Sequence, residues 1–200
     1  MSSKLRVLFC PDFYTLGRDP AIIWVPAFLR YLRAENVEVS VLLDNSADGQ
    51  LIEQIQSLDN SIEILLPEPA PDHAQEPTQP RFHARSVIHA ASTTEAILYD
   101  VVITQGLLLG RYVAGSKTLQ PVHWAILDDN PLVRSSTDSI DLKSIGVIAR
   151  GARLILTTSP ALRSVIESRV PESTSKTRIL TNVPVTLSLI HISEPTIPAA

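Results

Sequence analysis

The chain has 200 residues, of which 44% are hydrophobic and 19% charged, so it can bury one sizeable core in a soluble globular domain. A formal net charge of −4 argues against a general nucleic-acid binder. The single cysteine, Cys10, excludes an intrachain disulfide and a cysteine-rich zinc site. Its place in the apolar run VLFC predicts a packed core residue.

The first residues do not resemble a targeting signal. The apolar run after Lys4 is too short for a signal-peptide core, and a small-residue cleavage site does not follow it. No stretch approaches the roughly 18 apolar residues of a membrane span. We therefore expect a cytoplasmic address, with peripheral contact to a membrane left open.

In chain order, apolar segments of strand length alternate with segments of helical spacing. The predicted strands are 5–10, 37–43, 62–66, 100–104, 122–127, 154–158 and one that begins at 178. The predicted helices are 21–33, 50–58, 82–98, 106–116, 140–150, which ends near a C-cap at Gly151, and 160–169, capped by Ser159. Such alternation predicts an α/β fold: a Rossmann-like parallel sheet of about seven strands with helices on both faces.

Two segments depart from this alternation. Residues 67–81 contain five prolines among acidic and small residues, which predicts a mobile loop. Residues 187–196 read LSLIHISEPT, a string that resembles a translated sequencing adapter. We expect 187–200 to be an artefactual tail, so that His191 and Glu194 carry no chemistry; the alternative is an ordinary strand followed by a tail.

Short catalytic motifs are missing from the sequence. It contains no Walker A pattern, no G-x-G-x-x-G, no H-E-x-x-H and no G-x-S-x-G. The five histidines are scattered, and none has a cysteine or carboxylate at metal-ligand spacing. We therefore expect no metal site and no bound cofactor.

Candidate binding residues follow the predicted strands, because ligands of open parallel sheets bind at the carboxyl ends of the strands. Gly17 and Arg18 come after the first strand. A glycine there lets backbone N–H groups approach a phosphate or a sugar, and the arginine can add a charge-assisted hydrogen bond. An ordinary turn is the alternative.

Polar residues also follow the fourth and fifth strands: Gln105 and Gly106 after the fourth, Asp128 and Asp129 after the fifth. Adjacent aspartates in extended backbone point in opposite directions, so they do not form an acid/base pair. One of them is a candidate acceptor of hydrogen bonds from a sugar hydroxyl. The other is equally suited to capping the next turn.

Four ordered segments resemble the N-terminal domain of the GT-B retaining glycosyltransferases of family 4. They are KLRVLFC at 4–10, PAFLRYLRAENVEVSVLL at 26–43, YDVVITQG at 99–106, and ARLILTTSPALRSVIES at 152–168 together with RILTNVPV at 178–185. The resemblance covers about residues 4–186. Two positions depart from the family: Gln105 stands where many members carry histidine, and Asn182 is not followed by glycine.

The resemblance implies that 1–186 is the acceptor-side half of an enzyme whose C-terminal donor-binding domain is absent. The parent enzyme would transfer a hexose, without a metal, from a nucleotide-sugar to a glycan or lipid-linked acceptor. Gly17 and Arg18 would line the donor-facing cleft, and Gln105, Gly106, Asp128 and Asp129 would contact the acceptor. The fragment alone is expected to be inactive, and catalytic residues are not assigned.

A second interpretation stays open at this point. The chain could be a complete, non-catalytic α/β binding module of the flavodoxin-like kind. The genomic sequence downstream of Thr186 discriminates the two, since only the enzyme requires a second α/β unit in frame.

Overall fold

The computed structural model describes residues 4–11, 18–34, 37–43, 47, 49–67, 80–93, 96–127 and 142–180. Its strands are β1 (Arg6–Cys10), β2 (Glu38–Leu42), β3 (Glu63–Leu65), β4 (Val101–Gln105), β5 (His123–Leu127), β6 (Leu154–Thr157) and β7 (Thr177–Ile179). Its α-helices are α1 (Arg18–Ala34), α2 (Gly49–Leu58), α3 (Pro80–Ala91), α4 (Leu107–Ala114), α5 (Leu142–Gly151) and α6 (Pro160–Arg169). A 3₁₀ turn, Pro171–Ser173, links α6 to β7.

The strands form one seven-stranded sheet in the order β3-β2-β1-β4-β5-β6-β7, and every pairing is parallel. The sequence prediction of a Rossmann-like α/β sheet is therefore confirmed. The flavodoxin-like alternative is wrong in its topology, because that fold places its third strand beside the first. Here β1 pairs with β2 on one side and with β4 on the other, and β3 lies at the edge.

Both faces of the sheet are buried, which explains the continuous apolar runs in the strands. In β1, Val7 and Phe9 pack with residues of α1 and α2, whereas Leu8 and Cys10 pack with residues of α3 and α4. Cys10 is fully buried, as its position in the sequence predicted, and burial raises the pKa of its thiol far above the usual range. This thiol is a core residue.

The helix predicted over 82–98 differs from the observed α3 at both ends. It begins at Pro80, since a proline fits the first turn of a helix, so the proline-rich segment 67–81 does not extend as a loop to 81. It ends at Ala91: Ser92 still bonds the Ile88 carbonyl through its N–H (3.1 Å) and its Oγ (2.8 Å), but the N–H of Thr93 leaves the helical pattern. The next residues turn back, with Thr93 N–H bonded to the carbonyl of Ala96. Residues 68–79 lie outside the described part.

Gly151 is the last residue of α5 rather than its C-cap. The glycine is required for a different reason, because a Cβ built there would lie 1.9 Å from the carbonyl oxygen of Ala114 at the end of α4. The end of α5 is capped instead by Lys176, whose Nζ donates to the carbonyls of Ala149 (2.8 Å) and Ala152 (3.0 Å).

The start of α6 agrees with the sequence prediction. Ser159 has extended backbone and its Oγ accepts from the N–H of Leu162 at 3.1 Å, with Pro160 in the first turn. Replacing Ser159 with alanine is expected to lower the free energy of unfolding by about 1 kcal/mol, because that N–H loses its partner. Urea denaturation measures the loss. Ser168→Ala, late in the same helix and exposed, is the control, and an equal loss in both variants contradicts the capping role.

Candidate functional site

The carboxyl ends of β1, β4, β5 and β6 lie side by side at one edge of the sheet. The strands pair in register up to their last residues, with Cys10 opposite Thr104, Gln105 opposite Ile126 and Leu127 opposite Thr157. From β1 the chain adds β2 and then β3 on one side of the sheet, and it then adds β4 to β7 in turn on the other side. The direction in which strands are added therefore reverses between β1 and β4. Loops that diverge at such a point leave a crevice in which open α/β sheets bind ligands.

Gly106 forms the sharp turn from β4 into α4. Its φ of 103° and ψ of 150° lie in a region that residues with a Cβ rarely adopt. The turn is held on both sides: the Gly106 N–H donates to the Ile126 carbonyl on β5 at 3.0 Å, and the Gly106 carbonyl accepts from Gly110 N–H at 3.0 Å. The sequence indicated a glycine after the fourth strand, but its positive φ follows only from the fold.

The N-terminus of α4 opens at this edge without a capping side chain, because its N-cap is Gly106. The first turn of the helix also contains no acidic residue. Free N–H groups at a helix N-terminus favour anions and hydroxyl oxygens. The start of α6 differs, since Ser159 occupies one of its first-turn N–H groups. Of these two helix ends at the carboxyl edge, α4 is therefore the one better suited to receiving an oxygen from a ligand.

Beneath this turn the ends of β4 and β5 are polar but buried. Gln105 is fully buried and has a partner within the protein. Thr104 Oγ1 lies 2.8 Å from His123 Nε2, and both side chains are fully buried. Burial lowers the pKa of His123 to about 3, so the imidazole is neutral at pH 7. The sequence does not indicate this pair, because a histidine at a strand start gives no sign of the threonine on the neighbouring strand.

The residues predicted from the sequence divide into three groups. Gly17, Asp128 and Asp129 lie outside the described residues. Arg18 is the first residue of α1, and its side chain is likewise outside the described part. Gln105 and Gly106 lie together at the junction of β4 and α4. These residues stand after β1, at the end of β4 and after β5 in the chain, and those three strands are direct neighbours in the sheet.

Within the described ranges, histidine, cysteine, aspartate and glutamate side chains form no group of three that could hold a metal ion. No helix of the described chain is both long enough and apolar enough to cross a membrane.

No protein-family model and no curated protein sequence matches the chain. Solved structures do match its fold. The chain is similar to UGT89C1 of Arabidopsis thaliana complexed with UDP-L-rhamnose, with a TM-score of 0.59 and 15% identity over 99% of this chain and 54% of that one. It is also similar to apo UGT2 of Phytolacca americana, with a TM-score of 0.51 and 11% identity over 88% of this chain and 51% of that one.

The chain thus spans about half the length of the solved structures that it matches. Its seven-stranded parallel sheet and six helices form one half of a GT-B fold, the architecture of UDP-glycosyltransferases. At these identities the similarity defines the fold alone.

Proposed function

We propose that the chain is the N-terminal, acceptor-side half of a glycosyltransferase that moves a hexose from a nucleotide-sugar to a glycan or lipid-linked acceptor. The observation that carries the proposal is the similarity of 99% of the chain to one half of a protein complexed with UDP-L-rhamnose. The crevice between β1 and β4 supports it, because it has an uncapped helix end and a glycine at positive φ where a hydroxylated ligand would enter.

Each candidate residue has a distinct role in this proposal. Gly17 and Arg18 line the cleft toward the donor, where the arginine neutralises charge on a phosphate. Gly106 presents backbone to the acceptor. Gln105 contacts the acceptor beside it, and because its side chain is fully buried in this structure, that contact requires the end of β4 to open. Asp128 and Asp129 follow β5 and accept hydrogen bonds from acceptor hydroxyls.

The ordered segments that resemble family 4 support a retaining, metal-independent transfer, and we include that mechanism in the proposal. The leaving nucleoside diphosphate then has to be neutralised by cationic side chains and helix N-termini of the donor-binding half. We also propose a cytoplasmic enzyme in peripheral contact with a membrane when its acceptor is lipid-linked.

The test is a transfer assay on the full-length protein with a panel of nucleotide-hexoses and oligosaccharide or lipid-linked acceptors. Gly106→Ala is expected to lower kcat/KM for transfer by about tenfold or more, because a Cβ at positive φ costs on the order of 1–3 kcal/mol and shifts the turn. Gly49→Ala is the matched control, since a Cβ at Gly49 meets no atom of the described residues within 4 Å.

The same assay tests the aspartates. Asp128→Asn or Asp129→Asn is expected to raise the acceptor KM or to lower kcat, and the residue whose variant changes neither has no role in binding. The whole proposal is overturned if the full-length protein neither transfers nor hydrolyses any nucleotide-hexose, and if neither donor nor acceptor binds to it by calorimetry.

A further inference from the structure

A groove lies between α5, the end of α6 and the 3₁₀ turn that follows it. Its volume is about 350 Å³, within the usual range of small-molecule sites. The residues that line it are Leu142, Lys143, Gly146, Val147, Arg150, Arg169, Val170 and Glu172. Arg150 and Arg169 belong to the last turns of their helices, which lead into the amino ends of β6 and β7. The end of the groove at Arg150 and Arg169 therefore lies toward the amino ends of the strands, opposite the carboxyl edge of the sheet.

The groove is cationic in an acidic chain. Among the described residues that line the groove, Lys143, Arg150 and Arg169 are accompanied by one carboxylate, that of Glu172, whereas the chain as a whole carries a net charge of −4. Arg150 Nη1 lies 3.8 Å from Glu172 Oε1, and both side chains are more than half exposed, so this ion pair contributes little. Within the described part of the chain, Lys143 and Arg169 form neither an ion pair nor a hydrogen bond.

The usual structural role of a basic side chain at the end of a helix does not account for Arg150. Basic side chains often occur in the last turn of a helix, where they compensate the free carbonyl groups. At the end of α5, however, the Ala149 and Ala152 carbonyls already accept from Lys176 Nζ. Arg150 is thus free of the capping role and its guanidinium is available to a ligand.

Gly146 supplies an independent observation. A glycine inside a helix is destabilising relative to alanine, so its presence calls for a reason. Packing requires one other helical glycine, Gly151, where a Cβ would clash with Ala114, whereas a Cβ at Gly110 would make only ordinary contacts, the nearest with Ile148 Cδ1 at 3.4 Å. At Gly146, apart from the helix's own backbone, the atoms of the described chain that a Cβ would meet within 4 Å are those of the Arg150 guanidinium, at 3.5 and 4.0 Å. This glycine therefore keeps the floor of the groove open beneath the guanidinium.

We propose that the groove binds a small, soluble molecule that carries a phosphate group and an apolar part. The planar forks of Arg150 and Arg169 suit phosphate oxygens, and the aliphatic side chains of Leu142, Val147 and Val170 suit the apolar part. Lys143 lies seven residues before Arg150, about 10 Å along the helix axis, so the ligand is longer than phosphate alone. A phospholipid headgroup shares this chemistry, but a concave site rimmed by cations suits an entering molecule better than a flat bilayer surface.

This inference goes beyond the proposed glycosyltransferase activity and does not depend on it, because none of the groove residues belongs to the crevice between β1 and β4. Its test uses binding alone. Titration calorimetry on the full chain at low ionic strength compares phenyl phosphate with inorganic phosphate and phenol. Phenyl phosphate is expected to bind most tightly, since it alone engages both the cations and the apolar wall.

The groove variants give the decisive comparison. Arg150→Gln and Arg169→Gln are each expected to weaken phenyl phosphate binding by about tenfold, the effect of losing one charged hydrogen-bonding group. Arg30→Gln, an exposed arginine of α1, is the matched control and should bind as the unaltered chain does. Gly146→Leu should abolish binding by filling the floor, with thermal unfolding recorded to show that the variant is folded.

Three results would overturn the proposal. They are the absence of phenyl phosphate binding, equal binding in Arg150→Gln, Arg169→Gln and the control, and binding to phosphatidylglycerol vesicles without binding to any soluble phosphate. The last result would assign the cations to a membrane surface instead.

Discussion

Replacing Gly151 with alanine is expected to destabilise the chain by about 3 kcal/mol or more, because the added methyl group enters occupied space. The Cβ would lie 1.9 Å from the oxygen and 2.8 Å from the carbon of the Ala114 carbonyl. Both are backbone atoms, so no side chain can rotate away and α4 must separate from α5. That separation opens the cluster in which Ala114 packs with Ile145, Ile148 and Ala149. Urea denaturation followed by circular dichroism measures the loss.

Gly146, five residues earlier in the same helix, is the matched control. The Cβ of Gly146→Ala would meet only the Arg150 guanidinium at 3.5 Å, an ordinary van der Waals contact. Since alanine is the better helix former, this variant is expected to be more stable by about 0.5–1 kcal/mol. Opposite signs for the same substitution in one helix would show that close approach of α4, not helix propensity, selects Gly151. Similar effects at both positions would contradict that explanation.

The sequence predicted those parts of the fold that are determined by residues close together in the chain. All seven strands were anticipated, because strands buried on both faces are continuous apolar runs such as 7–10 in β1. The start of α6 was predicted to the residue, since Ser159 and Pro160 encode the cap within two positions. Those features depend on neighbours in the chain, and local patterns suffice for them.

Long-range features were not accessible in the same way. The approach of Ala114 to Gly151 joins residues 37 positions apart, so the sequence allowed a C-cap as the simpler interpretation of that glycine. The end of α3 was placed seven residues too late, because the apolar residues Ile97 and Leu98 continue a helical spacing after the helix has turned back. For the candidate site, Gln105 and Gly106 were found from their position after a strand. The burial of Gln105 and the φ of Gly106 required the structure.

His123 is expected to make the stability of the chain fall steeply in mild acid. Its imidazole is fully buried, Nε2 lies 2.8 Å from Thr104 Oγ1, and Nδ1 has no hydrogen-bond partner among the described residues. A second proton would place an uncompensated charge among apolar side chains, and burial accordingly lowers the pKa from 6.5 to about 3. The unfolded chain, in which the histidine meets water, keeps the ordinary pKa.

The sign of the effect follows from those two pKa values. Between pH 6.5 and about 3 the unfolded state binds the proton and the folded state does not, so acid favours unfolding across that window. Above pH 6.5 both states are neutral at this site and the contribution is constant. The expected loss is at most about 1.4 kcal/mol per pH unit, or roughly 2–3 kcal/mol by pH 4.5.

The measurement is the free energy of unfolding in urea at intervals from pH 8 to pH 4.5. His123→Gln cannot take up the proton, so it should be less stable at pH 8 but should lose less stability on acidification. The difference in slope between the two proteins isolates this histidine from all carboxylates. His89→Gln, on the exposed side of α3, is the control and should keep the original slope. A titration of the His123 ring resonance near pH 6.5 in the folded protein would refute the argument, because it would show that the folded state accepts the proton as readily as the unfolded chain does.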